Sequence, residues 1–436
     1  MFELSRGIIK ERLPILTEFI RWYKRRNNEL SSLRRHISRK RVQSGTRTTN
    51  EGIIKVVFIC QYIPAWSKCK QLYETLNNDT RFKIILLCIP NRIIANHLSN
   101  PNDLSNDTYD YFSDHGYKEA VNALIGKDEW FDLKGYYPDY VIYNRYDRPM
   151  PVPYTSKEVA CYAKVCLIRY AHALIRFEEV LFDKQFAANT YCLFAESKGM
   201  ILVFNRWNTI LCKLRFSHAV YCGIPAVENI YKAKGDKAEA WGFSKNSFRV
   251  IYSPRWTLDP AWGGSSFPKY GWAFVNLADE YPDMDILLRP HPLMFDHFVN
   301  TGVLGEKDIE CYKESCDLRK NIKIDTEKEY HSTFWNSGVL ICDYSSIIVE
   351  YFVTNKPIIY MTYDDNIDYT DQMRAILECC YIIKNGKELE RVLVDLKNGE
   401  DPLKVKREEL CEREFISNNI NTSEKMKEFL VANYSN

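Results

Sequence analysis

The sequence lacks the signatures that most readily assign an enzyme or a membrane protein. Neither a G-x-G-x-x-G fingerprint nor a Walker A loop occurs in its 436 residues, which argues against a dinucleotide-dependent dehydrogenase and a P-loop kinase. No run approaches the roughly 18 to 20 apolar residues that cross a bilayer. The N-terminus shows no compact apolar core followed by small residues, so a cytoplasmic protein is expected. The 14 cysteines include no C-x-x-C pair, and Cys60, Cys88 and Cys342 lie inside apolar runs, as buried reduced thiols do. No carboxylate cluster has metal-ligand spacing, so neither a metal nor another cofactor is expected.

What is present is a globular composition, 46% hydrophobic and 27% charged, in a chain long enough for two or three domains. The net charge of +2 hides an asymmetry. Met1 to Asn50 carries 13 Lys and Arg against four Glu and no Asp, a net +9, which leaves the rest of the chain at −7. This segment also holds Phe2, Ile8, Ile9, Leu13, Ile15, Leu16, Phe19, Ile20, Trp22 and Tyr23. Ile15, Leu16, Phe19, Ile20 and Tyr23 keep helical spacing, and Pro14 suits a first helical turn. An apolar stripe beside Lys24-Arg25-Arg26 is the composition of a helix lying on an anionic membrane surface. The alternative is a helix packed on the protein's own body, with a solvated basic tail. Nucleic acid is not expected as a partner, because the body is acidic and no reader motif follows.

From Ile53 the texture becomes alternating strands and helices. Ile53 to Cys60, Phe82 to Ile89, Tyr140 to Tyr143, Val165 to Tyr170 and Met200 to Phe204 have strand length, with helices over Ser67 to Asn77 and Thr155 to Ala163. A second set follows the polar stretch Lys232 to Asn246: Arg249 to Ser253, Ile286 to Arg289, Ile322 to Ile324, Val339 to Cys342, Pro357 to Met361 and Tyr381 to Ile383. The pattern predicts an α/β protein with two Rossmann-like, doubly wound parallel-sheet domains facing a cleft. The expected division is a basic amphipathic N-terminal helical segment at 1–50, an acceptor domain at 51–235, and a nucleotide-donor domain with C-terminal helices at 236–436. Ligands of such sheets bind beyond the carboxyl ends of the strands.

Three of those ends carry polar groups: Tyr252-Ser-Pro-Arg-Trp256, Leu288-Arg-Pro-His-Pro292 and Asp343-Tyr-Ser-Ser346. If their strands are neighbours, Arg255, Arg289, His291, Asp343, Ser345 and Ser346 line a seat for a diphosphate, with arginine as bidentate donor. On the local sequence alone Ser345 and Ser346 read first as plain helix caps and second as phosphate ligands. Glu350 falls about one turn into the following helix, where a carboxylate can accept from a ribose diol.

Arg289-Pro-His-Pro292, Leu340-Ile-Cys-Asp-Tyr-Ser-Ser346 and Lys356-Pro-Ile-Ile-Tyr360 together resemble the CDP-glycerol glycerophosphotransferase family, the teichoic-acid primases and polymerases. Tyr252 to Trp256 and Tyr363-Asp-Asp365 with Tyr369 are similar to further stretches of that family, and the likeness spans Phe248 to Tyr369. The resemblance implies a GT-B fold and a CDP-polyol donor, a substrate and not a cofactor, bound mainly by the C-terminal domain. It implies transfer of a polyol phosphate to a hydroxyl of a lipid-linked or glycan acceptor, by a peripheral protein on the inner membrane face. His291, Ser345 and Ser346 would contact the donor phosphate. Two departures stand out: Glu350 replaces the family's usual Asp, and its Trp-His-Gly tripeptide, which carries a catalytic histidine, is absent. His172 in Leu167-Ile-Arg-Tyr-Ala-His172 is the nearest candidate for the base, with His115-Gly116 as the other. Two rival readings stay open: a CMP-sugar glycosyltransferase of the sialyl or polysialyl type, which shares the His-Pro and Ser-Ser pattern, and a non-catalytic scaffold of a capsule-assembly complex.

Overall fold

The computed structural model describes residues 14–46, 52–94, 97–146, 149–170, 172–176, 183–246, 248–260, 263–327, 329–417 and 420–435. The chain divides into two compact units: Met1–Tyr170 with Phe177–Pro225 and Asn421–Asn436, and Ala171–Arg176 with Ala226–Ile420.

The first unit begins with helix α1 (Pro14–Thr46); Phe2, Ile8, Ile9 and Leu13 lie outside the described residues. The face that it buries is polar. Glu29, Ser32, His36, Arg39 and Gln43, at successive steps of three and four residues, are buried, while Phe19, Ile20, Trp22, Tyr23, Leu30 and Ile37 are exposed. Such a polar stripe can be buried only if it is hydrogen-bonded, and it is. Glu29 Oε1 accepts from Ile210 N (2.7 Å), Ser32 Oγ donates to Asn189 Oδ1 (2.9 Å), His36 Nε2 to Ala188 O (2.9 Å) and Gln43 Nε2 to Asp139 O (3.0 Å). Arg39 donates to His36 Nδ1 (2.8 Å) and lies over the Tyr191 ring at 4.7 Å.

Seven parallel strands follow: β1 (Ile54–Cys60), β2 (Phe82–Cys88), β3 (Ala120–Asn122), β4 (Tyr140–Tyr143), β5 (Lys164–Ile168), β6 (Cys192–Ala195) and β7 (His218–Tyr221). Their spatial order is β7-β6-β5-β4-β1-β2-β3. In β1 every residue but Lys55 is buried, as expected of a central strand covered on both faces. It pairs in register with β2 from Ile54 against Phe82 to Cys60 against Cys88, and with β4 on its other side. Winding therefore reverses between β1 and β4.

One expected strand is a helix. Met200 to Phe204 lies in α2 (Lys198–Trp207), which buries Met200, Phe204 and Trp207 at helical spacing and is capped by Ser197 Oγ accepting from Met200 N at 3.2 Å. A short apolar run does not distinguish the two states, and the cap decides it.

In the second unit β8 (Phe248–Ser253), β9 (Met284–Leu288), β10 (Ile322–Ile324), β11 (Val339–Cys342), β12 (Ile358–Tyr360) and β13 (Tyr381–Ile382) form a parallel sheet ordered β10-β9-β8-β11-β12-β13. Winding reverses between β8 and β11, so the edge above that pair is this sheet's crevice. Val250, Tyr252, Ile286, Leu288, Val339 and Ile341 anchor its core together with Phe274 and Phe298, each worth about 2 kcal/mol on burial.

The domain boundaries differ from those expected. The first unit's middle stretch ends at Pro225, not 235, and the final helix α3 (Thr422–Ala432) belongs to the first unit. Met426 and Leu430 enter the first core, Leu430 O accepts from Tyr140 Oη (2.8 Å), and Lys164 Nζ donates to Tyr434 O (3.1 Å). Sequence order carries no trace of this return, because its partners lie more than 250 residues away.

Candidate functional site

The second unit's crevice is built around Asp343, the residue that follows β11. Its side chain is fully buried, and Oδ2 accepts from the backbone N–H groups of Arg255 and Ser266, each at 2.9 Å. One carboxylate thus fixes both ends of the loop that leaves β8. Burial pushes its pKa up to about 6 against the lowering effect of those hydrogen bonds. Ser266 Oγ also meets Tyr252 Oη at 2.8 Å, and Ser265 Oγ donates to Arg255 O at 2.6 Å. Inside the loop Gly263 has φ +79°, and a Cβ there would meet Thr362 O at 3.0 Å, so only glycine fits.

With the loop held, Arg255 Nη1 donates to Tyr344 O at 2.9 Å, and the guanidinium lies 5.1 Å from the Tyr344 ring centroid. Burial draws its pKa down. The neighbouring Trp256 ring stands 5.8 Å from that of His291. His291 Nδ1 accepts from Leu293 N at 3.2 Å. Burial, assisted by the Arg255 charge, lowers the His291 pKa to about 4, so the ring is neutral at physiological pH. A neutral imidazole whose Nδ1 accepts carries its proton on Nε2. His291 is therefore a fixed, uncharged N–H donor beside a cation.

Ser345 Oγ accepts from Ile347 N at 3.4 Å, whereas Ser346 stands at the cap of the helix α4 of this crevice (Ile347–Phe352) without a side-chain capping bond. Both are half-buried.

Arg289 and Glu350 are placed differently from the diphosphate lining expected of them. Arg289 binds Asp325 Oδ2 through Nη1 (2.5 Å) and Glu327 O through Nη2 (2.7 Å), and covers the Tyr330 ring at 4.7 Å. Tyr330 Oη donates to the buried Glu350 Oε2 at 2.5 Å. Arg289, Tyr330 and Glu350 form one internal strut that ties the segment after β10 to the helix after β11. The signal for this was Tyr330, an aromatic with no role in the sequence reading.

His172 is not on the first sheet. β5 ends at Ile168, and residues 172–176 group with the second unit, where Arg176 N donates to Asp368 O (2.8 Å), Thr370 N to Leu174 O (2.9 Å), and Ile175 bridges Tyr369. The half-buried His172 thus rides on a strap bound to the loop that carries Tyr363 and Tyr369. His115 accounts for itself locally, with Nδ1 bonded to Tyr111 O at 2.7 Å and its ring 4.1 Å from that of Tyr111. Lys356 is structural: its ammonium donates to Trp335 O and Ser337 O, and burial lowers its pKa to about 8. Among the described residues no group of three His, Cys, Asp or Glu could hold a metal ion, and no helix is long and apolar enough to cross a membrane.

Solved structures share this architecture. A variant of the wall teichoic acid polymerase TagF aligns with a TM-score of 0.57 at 14% identity over 95% of this chain and 98% of its own. UDP-GlcNAc 2-epimerase from Neisseria meningitidis, bound to UDP-GlcNAc, gives 0.56 at 12% identity over 87% of this chain and 100% of its own. MnaA of S. aureus with UDP gives 0.53 at 15% identity over 86% and 95%. These likenesses establish a GT-B-type fold. No curated protein matches the sequence. The profile of the CDP-glycerol:poly(glycerophosphate) glycerophosphotransferase family matches residues 197–431, more than half of the chain, which includes the whole crevice around Asp343. The chain belongs to that family and is a transferase of the CDP-glycerol glycerophosphotransferase type.

Proposed function

We propose that this enzyme moves a polyol phosphate, glycerol phosphate or a close relative, from a CDP-activated donor to a hydroxyl of a lipid-linked or glycan acceptor in teichoic acid or capsule synthesis. The observation that carries the reading is the neutral His291 donor beside Arg255 at the second sheet's winding reversal. Arg255, His291, Ser345 and Ser346 hold the donor diphosphate there, and Asp343 holds Arg255 in place. The acceptor oxygen attacks the β-phosphorus, the bond from that phosphorus to the oxygen of the CMP phosphate breaks, and CMP leaves with the bonding pair. Charge neutralisation and positioning supply most of the rate, as in other phosphoryl transfers. His172 takes the acceptor proton, and the reaction uses no cofactor besides the activated donor. Arg289 and Glu350 act through Tyr330, by shaping the seat.

The protein works at the inner membrane face, held by α1. Support comes from the exposed Phe19, Trp22 and Tyr23, with Phe19 and Trp22 stacked at 5.9 Å, next to exposed Lys24. Aromatic rings beside cations suit an anionic interface.

Purified protein given CDP-glycerol and a glycerophosphate-primed lipid should release CMP. Silence with every CDP-polyol tested, together with hydrolysis of CMP-sialic acid, would replace this reading by that of a sialyl-type transferase.

A further inference from the structure

The strap at 172–176 follows a strand of the first sheet yet groups with the second unit, and backbone bonds attach it there. Arg176 N donates to Asp368 O at 2.8 Å, and Thr370 N donates to Leu174 O at 2.9 Å. These two bonds flank Ile175 and Tyr369, which form an antiparallel bridge. Bonds placed so make the two residues a non-hydrogen-bonded pair, the kind whose Cα atoms come closest, at about 4.5 Å. Leu174, Ile175 and Tyr369 are all buried.

Thr370 works in two directions. Its Oγ1 accepts from Met373 N at 3.3 Å, which caps the helix Asp371–Leu377, and the same hydroxyl donates to Ala173 O at 3.4 Å. A hydroxyl can do both at once. The Arg176–Asp371 ion pair beyond it is exposed on both sides and adds little. The loop that carries Tyr369 is in turn fastened to the donor crevice. Tyr344 N donates to Thr362 Oγ1 at 3.4 Å and Met361 N to Cys342 O at 3.0 Å. A Cβ at Gly263, in the loop of Arg255, would strike Thr362 O at 3.0 Å and touch Ile367 Cδ1 at 3.5 Å. A continuous path thus runs from the carbonyl of Ala173, the neighbour of His172, to the turn that holds Ser345 and Ser346.

We propose that Tyr369 and Thr370 are positioning residues for the transfer, which clasp the strap at 172–176 so that His172 keeps one place relative to the donor seat throughout turnover. The role of His172 rests on the transferase reading above; the clasp itself rests on the backbone pairing. A base must stay within hydrogen-bond reach of the proton it takes, and a displacement of about 1 Å can cost on the order of 100-fold in rate. Five residues outside any helix or strand do not meet that tolerance by themselves. The pairing with Tyr369 and Thr370 supplies it.

The test replaces the paired residues in the full-length chain, Ile175→Cys with Tyr369→Cys, a spacing that a disulfide spans. CMP release from CDP-glycerol with a glycerophosphate-primed lipid should have a kcat within twofold in the oxidised and reduced forms, because the strap never leaves the loop. Turnover that is lost on oxidation and returns on reduction overturns the clasp. Thr370→Val should lower kcat at least tenfold with the KM for CDP-glycerol within twofold, and Thr370→Ser should stay near wild type. The oxidised cysteine pair, added to Thr370→Val, should restore at least half of the lost kcat; a wild-type kcat in Thr370→Val overturns the clasp. Where the double variant does not fold, hydrogen exchange of wild type decides. The Arg176 and Thr370 amides should exchange within tenfold of those of Arg255 and Ser266, and free exchange at Arg176 overturns the clasp. That measurement needs no substrate, so it stands apart from the transferase reading. His172→Asn is scored separately: full turnover by that variant removes the base and not the clasp.

Discussion

Both sheets set a central parallel strand between neighbours that wind in opposite directions, yet they finish the crevice above it by different means. In the second sheet the parts are fastened through backbone: Asp343 grips two N–H groups, Arg255 grips a carbonyl, and His291 accepts from Leu293 N. In the first sheet Arg145 is held by the faces of two tyrosine rings. Backbone fastening leaves a side chain one position, whereas ring faces attract a guanidinium without fixing it through a backbone hydrogen bond. The first arrangement suits a group of constant shape at which a bond must break.

The sharpest way to break the comparison is at His291. If it is a donor aimed at the diphosphate, His291→Gln should lower kcat by about 100-fold to 1000-fold, the usual cost of deleting one such donor. CDP binding should change far less. A loss confined to KM would move His291 out of the bond-breaking step.

Two positions earlier the expected result is of another kind. Arg289 is tied to Asp325, whose side chain is 2% exposed, so Arg289→Ala strands a buried charge and should cost about 3 kcal/mol in urea unfolding. Glu350→Ala, which leaves the Tyr330 hydroxyl without its acceptor, should cost about 1 to 3 kcal/mol. Residual turnover measured on folded protein should exceed that of His291→Gln. Two residues of one tetrapeptide would then separate into strut and reagent.

Acidification sharpens the comparison further, because the signs differ between units. His36 is buried and neutral in the first unit, its pKa drawn down to about 3 by burial and then by Arg39. The unfolded chain therefore binds more protons below its ordinary value of about 6.5, and the stability that His36 contributes is lost as pH falls from there toward 3. Asp343 has a raised pKa, about 6, so the folded chain binds more protons between roughly 4 and 6, and its contribution grows as pH falls through that window. It partly offsets the loss from His291, whose pKa is lowered to about 4. Hydrogen exchange, corrected for intrinsic rates, should show the first unit losing protection before the second between pH 6.5 and 4.5. His36→Gln should reduce the difference, and Asp343→Asn, which removes the second unit's gain at low pH, should also narrow it at pH 4.5 relative to pH 7.

How much of this was legible follows from range. The second sheet could be read strand by strand, because Val339 to Cys342 and its neighbours are continuous apolar runs and their polar termini follow directly in sequence. That Asp343, Arg255 and His291 adjoin was conditional on their strands being neighbours, and the order β9-β8-β11 comes from the structure. The roles within the group did not, since Arg289 and His291 are separated in function by Asp325 and Tyr330, more than 30 residues away. The first sheet was read less well: its last strands were displaced by the helix over Met200 to Phe204, and its closing helix comes from the far end of the chain. His172 was placed on the wrong sheet because the strap from 172 to 176 leaves the strand it follows.

The smallest effect on stability, and the clearest inversion, belongs to α1. Its stripe from Glu29 to Gln43 is bonded to the first unit through polar side chains, so the helix is secured without its exposed aromatic rings. Phe19, Trp22 and Tyr23 remain 59%, 50% and 59% exposed. Replacing all three by alanine should therefore shift unfolding by no more than about 0.5 kcal/mol, as for surface positions in general. It should nonetheless abolish sedimentation with phosphatidylglycerol vesicles, while phosphatidylcholine vesicles bind neither protein. Ser32→Ala, which strips the buried Asn189 carbonyl of its donor, should do the reverse, with a loss of about 1 to 2 kcal/mol and unchanged vesicle binding. If the aromatic triple variant unfolds as readily as Ser32→Ala, those rings serve the fold and the outward face of α1 has no membrane to meet.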